Sequence, residues 1–283
     1  MPDFDYDVLV LGEILWDCVD GIRKPAGAPF NFARHLKKCG AMPYLVSAVG
    51  QDSAGDALIQ AVVRSDVAHA IPYVGAWTGQ ADVVRLENGS QTFRLKTPAA
   101  WDDIQANAEV RDVAESVGAV YFGTLAQRAE TSRMTIREIV SSFSGKWRIC
   151  DINLRPPFDD PEVLRWSMRH CDVLKFSLDE VGAVSQVLFG SRVDNSVVIA
   201  QACMAQYGIH TVIETLGEFG AKVWTADDVY AYERAPGVDV VSTVGAGDAF
   251  LASFMAAVIH DIPVKTALRM AVAYAARVVS QDG

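Results

Sequence analysis

The chain has 283 residues, 51% of them hydrophobic, and a formal net charge of −10. That length suits one large α/β domain with a buried core, and that apolar content excludes a disordered chain. An acidic balance with no basic run excludes a nucleic-acid partner, and no apolar run reaches the roughly 18 residues of a membrane span.

The first residues, Met1 to Asp5, are acidic, which is wrong for a secretory leader. Five cysteines (Cys18, Cys39, Cys150, Cys171 and Cys203) are scattered without a Cys-x-x-Cys pair. Reduced thiols in a cytoplasmic protein are therefore expected. Apolar runs at 6–12, 44–49, 119–122, 148–152, 173–176 and 211–214 read as buried strands, and the segments 30–38, 54–63, 131–142, 177–188 and 195–207 between them read as helices. Such alternation predicts a parallel sheet covered on both faces.

Within this frame the polar residues fall at recurring places. Asp17 lies just beyond the first strand, on the side where open α/β sheets bind ligands, although a lone Asp there also serves as a turn residue or cap. Asn31 opens the first helix after Gly27 and Pro29, where capping alone would explain it. Segment 82–95 breaks the alternation: Asn88-Gly89 signals a two-residue hairpin turn. Pairing across that turn puts Val84, Leu86, Phe93 and Leu95 on one face, which needs a cover. Asp151, Asn153 and Arg155 follow at period two, on one side of an extended chain. Arg155 suits an oxyanion, and an exposed structural arginine is the plainer reading. Ser177 to Glu180 forms a Ser-x-x-Glu capping box, which needs no further function. Residues 214–220 make a small-residue loop before another short strand, which also reads as a plain hairpin turn.

The most informative stretch is Ser242 to Phe250. Gly245, Ala246 and Gly247 form a small-residue turn that opens an apolar helix at 250–259, after an apolar run at 238–241. Free first-turn amides at the positive end of a helix dipole make an anion site, and glycine lets a phosphate come close. Asp248 stands inside that turn. A carboxylate there is costly unless it takes a proton from a hydroxyl attacking the bound phosphate. Neither the P-loop nor the dinucleotide fingerprint fits this stretch.

Thr243-x-Gly245-Ala246-Gly247-Asp248 resembles the C-terminal signature of the ribokinase-like (PfkB) carbohydrate kinases. A second signature, Ala26 to Ala33 followed by Gly40 and Gly50, resembles the family's N-terminal one, and the likeness is strongest to the fructokinase-like branch. The resemblance implies a single domain over residues 1–283, a three-layer α/β/α fold with a mostly parallel sheet and a small β-lid drawn from about 14–25 and 72–100. It implies an ATP- and Mg²⁺-dependent transfer of a γ-phosphate to a sugar hydroxyl, fructose first among the candidates, with Asp248 as base and Gly245, Ala246 and Gly247 as the anion hole. By the same resemblance Asp17, Gly27, Asn31, Asn153 and Arg155 contact the sugar, Thr215, Gly217, Gly220 and Thr243 the nucleotide, and Glu180 the metal's shell through water. A homodimer through the β-lid is also implied.

Departures from the family pattern are Ser177 for Asn, Val272 for an Asn near the adenine, and Ser242 for an Asp associated with a monovalent cation. Potassium activation is accordingly not expected. A 2-keto-3-deoxygluconate or nucleoside kinase of the same family is the nearest rival reading. A non-catalytic sugar- or nucleotide-binding regulator is the rival from another class, and the intact Asp248 argues against it.

Overall fold

The computed structural model describes residues 6–19, 21–85, 91–227 and 229–281. Its elements begin with β1 (Val8–Leu11), β2 (Leu15–Val19), β3 (Ile22–Ala26), α1 (Ala28–Lys38), β4 (Pro43–Val46), β5 (Val49–Gly50), α2 (Ser53–Arg64), β6 (Ala68–Ala70) and β7 (Tyr73–Val74). They continue with β8 (Gln80–Arg85), β9 (Gln91–Leu95), α3 (Ala108–Ser116), β10 (Ala119–Gly123), α4 (Glu130–Ser142), β11 (Trp147–Asp151), α5 (Pro161–Arg169), β12 (Val173–Ser177) and α6 (Val181–Phe189). The last are α7 (Ser196–Tyr207), β13 (Thr211–Thr215), β14 (Ala221–Thr225), β15 (Tyr230–Glu233), α8 (Ala246–Ile259) and α9 (Val264–Val279).

Nine strands form one sheet in the order β15-β14-β13-β12-β11-β10-β1-β4-β6. It is parallel from β6 to β13, and only β14 and β15 run antiparallel at one edge. Its central strands β1, β4 and β10 are short and fully buried, which is the signature of a sheet covered on both faces. Alternate residues of β1 serve the two covers: Leu9 and Leu11 join one apolar cluster, Val8 and Val10 the other. The second cluster is completed by α1, α8 and α9, where Phe30, Phe32, Phe254 and Leu268 are essentially inaccessible. The chain starts at β1 in mid-sheet and builds outward in both directions, so the strand order reverses between β1 and β10. Ligands of such sheets bind outside the carboxyl ends of the strands at that reversal.

A second, four-stranded sheet has the order β3-β2-β8-β9. Leu15, Ala26 and Ala81 are buried on its inner side, with Leu95 packed against them. The hairpin register differs from the expected one. Val83 stands opposite Phe93, Val84 opposite Thr92, and Ala81 opposite Leu95. A two-residue Asn88-Gly89 turn would instead have paired Val84 with Phe93. The shift of one residue reverses which positions share a face, so Val84 does not share one with Phe93 and Leu95. Leu86, Asn88 and Gly89 themselves lie outside the described residues.

The run 238–241 is no strand: Val238, Val240 and Val241 are exposed, and the Val241 amide donates to Val279 O of α9 rather than to a ladder. Val272 lies on α9 with its side chain in the core. The stretch from Asp151 to Arg155 is not extended, because β11 ends at Asp151 and Asn153 takes a positive φ of 42°. Among the described residues no helix is long and apolar enough to cross a membrane.

Candidate active site

The strand ends and the small sheet enclose a cavity of about 290 Å³. The turn after β1 contributes Glu13, and β2 contributes Asp17. The start of α1 contributes Gly27, Ala28 and Asn31, the segment after β11 Asn153 and Arg155, and β12 Lys175. Thr243, Gly245, Gly247 and Asp248 close it from the start of α8, and Ala81 and Leu95 from the small sheet.

Asp248 sits in the first turn of α8, with Gly245 as the N-cap in the left-handed region. It is 8% exposed, and its Oδ2 accepts a hydrogen bond of 2.9 Å from Asn31 Nδ2. Asn31 is therefore more than a helix-opening residue: it ties α1 to α8 inside the cavity. Burial raises the Asp248 pKa, against the pull of Lys175, the Asn31 bond, Arg155 and Arg34. Of the three expected anion-hole amides, that of Ala246 donates to Thr243 O at 3.3 Å within the turn. The amides of Gly247 and Asp248 are first-turn groups, for which the helix itself supplies no acceptor.

The wall opposite α8 is acidic. Burial raises Asp17 to about 6, Arg155 lowering it and Asp248 raising it in part. Glu13 goes to about 7 by burial, only partly offset by backbone hydrogen bonding and Arg155. Glu13 Oε2 has no hydrogen-bond partner among the described residues. Gly27 packs on this residue so closely that a Cβ there would lie 2.4 Å from Glu13 O.

The segment carrying Asn153 and Arg155 is fastened from below. Glu180 Oε1 accepts from Leu154 N at 2.6 Å, and Oε2 accepts from Ser177 N at 2.7 Å and Ser177 Oγ at 3.0 Å. The capping box of Ser177 and Glu180 is formed, and both carboxylate oxygens are in use. Glu180 does not line the cavity. Among the described residues no three His, Cys, Asp or Glu side chains gather as a metal cage. A divalent cation here would ride on phosphate oxygens and water, as Mg²⁺ prefers.

Thr215, the last residue of β13, and Gly217 and Gly220, on the loop joining β13 to β14, are not among the residues that line the cavity. The hairpin reading of that loop holds, with a short 3₁₀ turn over Gly217–Phe219. A Cβ on Gly220 would lie 1.9 Å from Glu233 O, so the glycine there is required by packing against β15.

Two cavity residues were not singled out from the sequence. Glu13 lies in the turn after the first strand, at the carboxyl end of the sheet where ligands bind. Lys175 is the one charge inside the apolar run of β12, and a buried lysine needs a partner. That partner is Asp151, its neighbour in the β11–β12 ladder: Nζ lies 2.9 Å from Oδ1 and 3.2 Å from Oδ2. Asp151 is fully buried and stands behind Lys175 rather than in the cavity.

A buried carboxylate in an amide-rich helix start, facing a polar cavity at the sheet's carboxyl end, suits a small-molecule phosphotransferase. The sequence model for the pfkB family of carbohydrate kinases matches residues 7–283, and the chain belongs to that family. It is a carbohydrate kinase, a phosphotransferase acting on a sugar hydroxyl. An ATP-dependent 6-phosphofructokinase of Thermoanaerobacterium thermosaccharolyticum is 26% identical over 297 residues, covering 97% of this chain and 88% of the relative. A fructokinase of Rhizobium leguminosarum bv. trifolii is 25% identical over 241 residues, covering 83% and 72%. The crystal structure of a Vibrio cholerae O395 fructokinase bound to fructose, ADP and calcium superposes with a TM-score of 0.82 at 22% identity, covering 99% and 94%. The ribokinase-like three-layer fold expected from the sequence is the fold observed.

Proposed function

We propose that the chain transfers the γ-phosphate of ATP to a hydroxyl of a small neutral sugar, fructose being the leading acceptor. The observation that carries this reading is the 2.9 Å bond from Asn31 to Asp248, which joins the hydroxyl-binding wall to the amides of α8. The sugar lies against Asp17, Gly27, Asn31, Asn153 and Arg155. Asp248 takes the proton of the attacking hydroxyl, and its raised pKa brings its basicity nearer to neutral pH. The amides at Gly245, Gly247 and Asp248 receive the charge that develops on the phosphoryl oxygens. Thr243 and the loop with Thr215, Gly217 and Gly220 hold the nucleotide, whose phosphates carry Mg²⁺. Glu180 acts through the backbone that it fastens.

A neutral acceptor is favoured by charge. Glu13, Asp17 and Asp248 face the cavity, and Arg155 and Lys175 are the cations beside them. A phosphorylated or acidic sugar would add an anion beside Asp17 and Asp248, whose charges Arg155 and Lys175 already balance. The fructokinase relative points the same way. The small sheet is proposed as a lid that excludes water, which otherwise competes as acceptor, and as the contact of a homodimer. ATP consumption across neutral hexoses, sugar phosphates, sugar acids and nucleosides tests the acceptor. A kcat/KM preference for one of the last three classes removes fructose and keeps the kinase. Sedimentation as a monomer at micromolar concentration removes the dimer.

A further inference from the structure

Lys175 carries a role that the sequence did not reveal. Its strand, β12, delivers the side chain to the cavity floor, and the ammonium lies against the start of α8. A Cβ built on Gly247 would be 3.0 Å from Lys175 Nζ. Glycine at 247 thus leaves the space in which a cation and the free amides of the first turn converge. An ammonium has three donors. Asp151 engages it through both carboxylate oxygens from the rear, and among the described residues no other acceptor is hydrogen-bonded to it. Burial works against its charge, and Asp151, Glu180 and Asp248 together outweigh burial and keep it protonated.

Resting on the phosphotransfer reading above, we propose that Lys175 contacts the transferring phosphoryl group directly and that Asp151 is the residue that positions it. In the reaction the sugar oxygen forms a bond to the γ-phosphorus, and the bond from that phosphorus to the ADP oxygen breaks. The hydroxyl proton goes to Asp248. Lys175 keeps its own protons throughout. It offsets charge on the equatorial oxygens from one side while the amides of Gly247 and Asp248 do so from the helix end. A structural ion pair would require no lysine lining the cavity. A purely structural pair could be replaced, both members together, at little cost to stability or turnover.

The test uses that difference. Lys175→Met alone leaves Asp151 buried and unpaired, so its folding is compromised for reasons unrelated to catalysis. The double variant Lys175→Met/Asp151→Asn removes both charges. Its thermal midpoint is expected within a few degrees of wild type, and its kcat is expected to fall about 10²–10³-fold, the usual effect of losing one charge-stabilising donor. The sugar KM should move by less than about threefold. In calorimetric titrations, a non-hydrolysable ATP analogue should lose tenfold or more in affinity while ADP loses little, because only the analogue carries a γ-phosphate. Recovery of kcat to within about threefold of wild type overturns the proposal, as does an equal loss for the two nucleotides. A wild type that binds nucleotide in this pattern but phosphorylates no sugar removes the acceptor reading and leaves Lys175 as a γ-phosphate contact.

Discussion

Two helices begin at the cavity, and they begin differently. Both α1 and α8 open on a glycine with positive φ, 112° at Gly27 and 76° at Gly245. The first turn of α1 contains Pro29, which has no N–H, and no acid. The first turn of α8 contains Ala246, Gly247 and Asp248. At Gly27 a Cβ would strike Glu13 O at 2.4 Å, whereas at Gly245 the nearest atom would be Asn31 Nδ2 at 3.6 Å. One start is wedged against the turn after β1, and the other is open. A helix start therefore becomes an anion site only if its amides are present and the space before them is left unfilled. By that criterion the start of α8 fits the proposed phosphate site, and the start of α1 fits the proposed sugar side.

The largest test of this division is Asp248→Asn. Turnover should fall about 10²–10⁴-fold, with the unfolding midpoint and nucleotide affinity close to wild type. Turnover within a few-fold of wild type would remove the acid from the chemistry and make the two helix starts equivalent. Next come the glycines. Gly27→Ala should cost about 3 kcal/mol in urea unfolding, since backbone strain and a backbone clash add together. Gly245→Ala meets strain alone and should cost about 1–2 kcal/mol. Equal losses would contradict the difference in packing.

Glu13, wedged beside Gly27, gives a prediction whose size depends on pH. Burial raises its pKa from 4.5 to about 7. The folded state therefore favours the protonated acid, and stability is intact below pH 4.5 and is lost as pH rises through 7. Glu13→Gln never ionises. Its advantage over wild type in thermal melts should be small at pH 5 and reach at most about 3 kcal/mol at pH 8. A difference independent of pH would mean that the carboxylate is not held in the acid form. In the same spirit, kcat/KM should decline toward acid with an apparent pKa above the ordinary aspartate value of 3.8, because both Asp248 and Asp17 are raised and act ionised. The smallest expected effect is that of exchanging sodium for potassium at equal ionic strength. Ser242 offers only a hydroxyl, already engaged with the Val244 amide at 3.3 Å, so kcat should barely change. A severalfold rise specific to potassium would show that backbone carbonyls suffice.

What was legible in the sequence was local or periodic. The six core strands announce themselves because a parallel strand buried on both faces must be apolar throughout. The start of α8 is legible because its small residues and its acid lie within a few positions of one another. What could not be read depends on pairing between distant segments. Lys175 gains meaning only from Asp151 in the neighbouring strand, and Asn31 only from Asp248. The hairpin at 80–95 was found, but its register depends on the connection, and one residue of slip reverses the faces. The helices α3 and α5 escaped because they are short and contribute few apolar positions, Val110 and Val113 in one and Val163, Leu164 and Met168 in the other.

The hydrogen bond between Asn31 and Asp248 spans 217 positions of the chain. During synthesis Asn31 is translated early, and Asp248 arrives only with the penultimate helix. No nascent chain that stops before α8 can form this bond, however well its central strands have already paired. Cutting the chain in the exposed stretch between α6 and α7 would separate the two halves of that bond. The two fragments would be silent apart, and their reassociation would be reported directly by the return of turnover.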